Sequence, residues 1–237
     1  MDNFDPIGEA VFNCHFNQDN TPIYVHSTDF EPDEMPTSYL FRAFKEMPPL
    51  EQFALQQAKG RVLDVGACAG CHSVYLKDKG LEVVALEQSQ RCVSVLQDLG
   101  LPTVVQADFF QYDAEPFETI LLLMNGTGIA GTISNVTNLF LKLKQLLLPN
   151  GKIYIDSSDL IYLYENEDGS ADINIAGNYY GELIYQTSYK GKYSQSFPWL
   201  YLDFDLLKNY VELSGLQVES VKWGEHYDYL ATITHKK

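Results

Sequence analysis

From Arg61 onward, short apolar runs alternate with longer stretches in which apolar residues recur every three or four positions. Residues 62–65 are an apolar run stopped by Gly66, and residues 73–79 have helical spacing closed by Gly80. Residues 82–86 carry adjacent valines, as expected of a strand buried on both faces of a sheet. Ser89 is placed to cap a helix with Val93 and Leu96 on one side, which Gly100 ends. Residues 103–106 and 119–124 read as the third and fourth strands. Leu139, Leu143 and Leu146 mark a helix over 135–147, broken by Pro149-Asn150-Gly151, and residues 152–156 give a fifth strand. Strand and helix taking turns in this way predict an α/β protein with a doubly wound, mostly parallel sheet.

Beyond Asp156 the pattern changes. Residues 165–181 are acidic and loop-like, and residues 181–201 read as an aromatic hairpin turning at Lys190-Gly191. Asp203 is placed to cap a helix through Leu213, ended by Gly215. Residues 216–222 and 227–234 lie too close together to enclose a crossover helix, so they are expected to pair antiparallel and complete a seven-stranded sheet. Residues 1–58 hold two helical stretches around a polar, proline-containing segment, read as an N-terminal arm or lid against a domain spanning 59–237, with 165–201 as an insertion.

Composition narrows the function. The 237 residues are 46% hydrophobic and 20% charged, ordinary for a globular chain. A net charge of −16 argues against a duplex nucleic-acid binder, which needs a basic face for phosphates. The acidic start of the chain is unlike a signal peptide, and no apolar run is long enough to span a bilayer. Four cysteines in a chain of this size do not suggest a secreted disulfide scaffold, so a cytoplasmic protein is expected.

The first strand-to-helix turn of such a sheet is where a nucleotide cofactor binds. Here it reads Asp64-Val65-Gly66-Ala67-Cys68-Ala69-Gly70-Cys71. The dinucleotide order G-x-G-x-x-G, which would mark a nicotinamide-dependent oxidoreductase, keeps one glycine of three. The order D-x-G-x-G-x-G keeps Asp64, Gly66 and Gly70 and departs only at Cys68. That order resembles the first motif of class I S-adenosylmethionine-dependent methyltransferases. The resemblance implies a Rossmann-like fold over about residues 60–237, an S-adenosylmethionine cofactor, and a place for Ala67 and Cys68 within the cofactor loop. It further implies that Glu87, beside Gln88, accepts from the ribose hydroxyls, as a carboxylate can from two donors at once. Asp108 would lie near the adenine with Phe109 against the ring, and Met124, Asn125 and Gly126 would face the methionine part and the reaction centre. Residues 31–60 resemble the helical lead-in of a bacterial subgroup. Glycine at position 68 would permit left-handed backbone; cysteine there carries about 1–3 kcal/mol of strain if that geometry is kept. Cys68-x-x-Cys71 also reads as a redox dithiol at a helix start, and His72 as a neighbouring ligand, but the set is too small for a closed metal site, and no metal is expected.

Methyl transfer from a sulfonium relies mainly on positioning, so no obligatory protein nucleophile is needed. Asn125, Asp156 and His226 are the candidate catalytic residues, His226 because imidazole titrates near neutral pH. Asp159 is a further carboxylate after the fifth strand. Tyr39, Arg42, His72 and Tyr227 are candidates for holding the acceptor, Arg42 because its fork suits a carboxylate. The aromatic residues of the hairpin, among them Tyr185, Trp199 and Tyr201, either wall a pocket or simply pack the hairpin. The expected activity is methyl transfer to a small molecule, with a protein acceptor or a non-catalytic cofactor-binding role as alternatives.

Overall fold

The computed structural model describes residues 4–28, 30–166, 168, 170–173 and 177–236. Parts of the predicted acidic loop, residues 167, 169 and 174–176, lie outside the described residues. The helices are α1 (Pro6–Asn17), α2 (Pro49–Gln57), α3 (Cys71–Asp78), α4 (Gln90–Asp98), α5 (Val136–Leu146) and α6 (Phe204–Leu213). The first sheet takes β3 (Arg61–Val65), β4 (Glu82–Glu87), β5 (Thr103–Gln106), β6 (Phe117–Leu122), β7 (Leu147–Ser158), β11 (Leu216–Trp223) and β12 (Asp228–His235). Its order is β11-β12-β7-β6-β3-β4-β5, with β12 antiparallel to both neighbours and the β7-to-β5 portion parallel. This is the expected Rossmann-like α/β sheet of seven strands. The order reverses between β3 and β6, so ligands belong at the carboxyl ends there.

The alternation of apolar and turn residues explains the packing. Leu63, Leu86, Ile120, Leu122, Ile153 and Ile155 are buried between the sheet and the helices that include α5 and α6. Ser89 caps α4 through the Cys92 N–H, and Asp203 caps α6 through the Leu206 N–H. Pro149-Asn150-Gly151 does not break the chain: β7 runs through it, and a register shift opposite 117–119 absorbs the extra residues. A side chain at Gly151 would meet the Phe117 carbonyl at 2.9 Å, so the bulge needs glycine for close backbone approach.

The N-terminal segment holds the two expected helices, α1 and α2, and the polar stretch between them adds strands. Between α1 and α2 lie β1 (Ile23–Ser27) and β2 (Asp33–Met35). β1 pairs antiparallel with β8 (Glu182–Tyr189), Val25 opposite Thr187, while β8 pairs on its other edge with β9 (Lys192–Tyr193) and β10 (Phe197–Leu200). Arm and hairpin therefore build one second sheet. Its hairpin turns at Lys190-Gly191 as expected, both residues at positive φ as a type I′ turn requires. The second sheet and α1 pack on the loop after β3. Ile23 of β1, Tyr189 of β8 and Val11 of α1 share a buried cluster with Ala69 and Cys92, with Cys68 and Met124 against it. Among the described residues no helix is long and apolar enough to cross a membrane.

Candidate active site

The loop between β3 and α3 is shaped by its backbone. Gly66 sits at φ +73° with open space where a side chain would be. Its N–H and that of Ala67 donate to the Leu86 carbonyl, tying the loop to the end of β4. Gly70 caps α3 in the left-handed conformation, and a side chain there would strike Leu96 of α4 at 2.8 Å. Cys68 adopts φ +50°, the left-handed conformation expected of a glycine. The geometry is thus kept, at the cost carried by a non-glycine residue in that region. The Cys68 thiol faces Cys92, and that contact together with burial pushes it well above the usual range for a thiol.

Two buried carboxylates brace the loop. Asp64 accepts from the Ser73 hydroxyl at 2.6 Å, joining β3 to the first turn of α3. Glu87 accepts from the backbone N–H of Cys68 and of Ser89, both at 2.8 Å, one on each oxygen. Burial raises the Glu87 carboxyl despite these bonds. Each oxygen retains a lone pair for a hydroxyl donor. Gln88 is exposed beyond it, its carbonyl accepting from Gln106. Asp108 is exposed and caps the following turn through the N–H groups of Phe110 and Gln111. Phe109 belongs to the main core at 4% exposure, so it does not offer a face to a ring; half-buried Phe110 lies edge-on to it.

β6 ends at Leu122, two residues earlier than expected, and the chain turns through Met124 (φ +67°) and Asn125 (φ +61°). Asp156 of β7 holds this turn, accepting from Met124 N–H at 3.0 Å and Gly126 N–H at 2.9 Å. Burial pushes the half-buried Asp156 up to about 6, against the pull of those N–H groups, and the Glu51 charge adds to the rise. Asn125 is turned inward. Its amide donates to the Leu200 carbonyl and its oxygen accepts from Thr127 and Ser157, which corrects the expectation that it faces a reacting group.

Arg42 and His72 are likewise engaged with protein. Both meet Glu51 of α2 at one oxygen, Arg42 at 2.5 Å and His72 at 2.9 Å, and all three are buried. Arg42 lies over the Tyr39 ring at 4.2 Å and donates to the Tyr39 carbonyl. For His72, burial opposes the charge, but Cys71, Glu51 and Asp64 outweigh it and push the imidazole up to about 10. Glu51 is held below its usual range, its own burial outweighed by His72 and Arg42. The expectation that Arg42 and His72 reach for an acceptor is therefore corrected: they bind the arm to α3. Nothing local in the sequence marks Glu51, whose partners stand 9 and 21 residues away.

His226 and Tyr227 are exposed in the turn before β12, beyond the ladder in which Asp156 faces Leu230. Tyr227 donates to Glu165 and stands 5.2 Å from Tyr162. Asp159 caps a short turn through the Ile161 N–H and accepts from Tyr180 at 2.8 Å. A cavity of about 320 Å³ is lined by Phe44, Tyr75 and Leu99 and, from the loop after β3, by Ala69, Gly70 and Cys71; Gly66 and Glu87 do not line it. Among the described residues no group of three or more His, Cys, Asp or Glu side chains is arranged to hold a metal.

The sheet order, the antiparallel β12 and the Gly66–Gly70 loop define a Rossmann-like fold with an antiparallel ending. Known structures share it. A SAM-dependent methyltransferase from Bacteroides fragilis, solved with S-adenosyl-L-homocysteine, is 44% identical over 98% of this chain and 94% of that one, with a TM-score of 0.90. The CcbJ methyltransferase from Streptomyces caelestis superposes with a TM-score of 0.64 at 16% identity, covering 82% of this chain and 95% of that one. The glycopeptide N-methyltransferase MtfA, complexed with S-adenosyl-L-methionine, reaches 0.57 at 16% identity over 82% of this chain and 88% of that one. No family model and no curated protein matches the chain. The chain belongs to the class I S-adenosylmethionine-dependent methyltransferases, enzymes whose methyl donor is S-adenosylmethionine.

Proposed function

We propose that this chain methylates a small-molecule acceptor held between the carboxyl ends of β6 and β7 and the second sheet, with the cofactor lying along Gly66, Glu87 and Asp108. The observation that carries the placement is the open left-handed Gly66 beside a Glu87 carboxylate that is tied to the loop yet keeps lone pairs free. When bound there, S-adenosylmethionine supplies an electrophilic methyl group on a sulfonium. Glu87 would accept from the ribose hydroxyls, and the open left-handed backbone at Gly66 would leave room for the ligand beside the loop. Because that methyl group would be taken by direct displacement, the protein's own residues would serve to orient the acceptor and to exclude water. A roof formed from arm and hairpin supports an acceptor small enough to sit beneath it. Four free thiols suit the cytoplasm, the compartment this reading calls for.

Calorimetric titration of the reduced protein with S-adenosylhomocysteine tests the placement. Saturable micromolar binding is expected, weakened at least tenfold in Glu87→Ala and nearly unchanged in Cys71→Ser. Equal affinity in all three proteins would remove the site from this loop.

A further inference from the structure

The acceptor side of the cleft has a chemistry of its own. Asn125 donates to the Leu200 carbonyl, the Thr127 hydroxyl shares its one proton between that carbonyl and the Asn125 oxygen, and the Leu202 N–H donates to Ser157, the neighbour of Asp156. The chain at 200–202 is thereby pinned on both sides of Tyr201, and burial, followed by the neighbouring Tyr185, Tyr162 and Asp156, raises the Tyr201 hydroxyl. Tyr201 accepts from the Tyr185 hydroxyl at 3.2 Å, and Tyr162 acts on both hydroxyls through space. Trp199, near-parallel to Tyr185, closes the wall against Gly128, where a side chain would strike its indole at 2.1 Å. The rings of Tyr185, Trp199 and Tyr201 thus form one cluster on a segment pinned to the 125–127 turn, the turn that Asp156 holds through its backbone N–H groups. None of the ion pairs among the described residues includes Asp156. Its two backbone donors leave it acceptor capacity, and the His72 charge acts on it only through space.

This combination selects among acceptors. A carboxylate acceptor would be repelled by Asp156. A hydroxyl holds its proton too tightly for a carboxylate to remove. An ammonium is attracted both by the carboxylate and by the ring faces. We propose that the acceptor atom is the nitrogen of a small amine, recognised in its ammonium form by Asp156 and by the rings of Tyr185, Trp199 and Tyr201. The ammonium gives one proton to Asp156, which passes it to water. The freed lone pair forms the carbon–nitrogen bond while the carbon–sulfur bond breaks, and its electrons stay on sulfur as the neutral thioether. The new ammonium then loses a proton to solvent. This rests on the cofactor and acceptor placement proposed above.

The test uses the full chain, first titrated with S-adenosylhomocysteine and then, when saturated, with 2-phenylethylamine or its isostere 2-phenylethanol. The amine is expected to bind at least tenfold more tightly than the alcohol. Asp156→Asn should cut that preference to threefold or less. Because Asp156 also holds the 124–126 turn, Tyr201→Leu serves as the second variant: it spares the carboxylate and should weaken the amine at least fivefold more than the alcohol. Equal binding of the two probes, tighter binding of the alcohol, or no binding of the amine to protein saturated with S-adenosylhomocysteine would overturn the amine assignment alone. Failure of S-adenosylhomocysteine to bind would instead overturn the cofactor placement, and the amine assignment with it.

Discussion

Glu51 joins two cations on one buried oxygen, and removing it would leave both uncompensated. Losing one partner of such a buried set costs about 3–5 kcal/mol. Glu51→Gln should show that loss in urea unfolding at pH 7, together with weaker cofactor binding as α3 loosens. The pH dependence follows from the sign of the His72 shift. An imidazole raised in the folded protein contributes stability that is complete below its unfolded value near 6.5 and is lost as pH rises through about 10. Unfolding free energy should therefore fall between neutral pH and pH 10, and His72→Gln should flatten that decline. The same slope in both proteins would mean that His72 is not the titrating group. The facing groups Glu51, Cys71 and Asp64 are all within its influence.

At the scale of elements, the arm and the hairpin meet through β1 and β8. β1 is central in its sheet, with β2 on its other edge, so a proline within it removes a ladder donor and clashes with the pairing. Val25→Pro should raise hydrogen exchange across residues 182–189 and weaken cofactor binding by loosening Ala69 and Met124 beneath the second sheet. Unchanged exchange in β8 would show that the pairing contributes nothing to the roof. The difference between what could and could not be read beforehand is clear here. The parallel strands announce themselves as adjacent apolar residues with glycine stops, because both of their faces are buried. Asp64, Gly66, Gly70 and Glu87 stand close in sequence around one turn, so their spacing is visible. Ile23–Ser27 is short, only its first residue is fully buried, and its partner lies about 160 residues away. The inward turn of Asn125 is equally illegible, since it depends on Leu200 and Ser157 from other elements.

For the whole molecule, β1 and β8 join the start of the chain to a late segment. Ribosomes add about 5–20 residues per second, so roughly ten to thirty seconds separate the emergence of these two strands. Over that interval Ile23 and Val11 have no Tyr189 to pack against, while the loop from Gly66 to Gly70 and the strand carrying Glu87 leave the ribosome within it. Chains arrested after residue 160 should be cut by protease within residues 18–36, and chains released at full length should resist there. Equal resistance in both would show that the arm docks without β8. The loop holding Gly66 and the strand holding Glu87, which the function proposed above places at the cofactor, are thus made before β8, the strand that completes the second sheet. On the placement proposed above, a growing chain passes through a stage at which the loop from Gly66 to Gly70 stands uncovered by β8, and a cofactor bound early would be a template on which the second sheet closes.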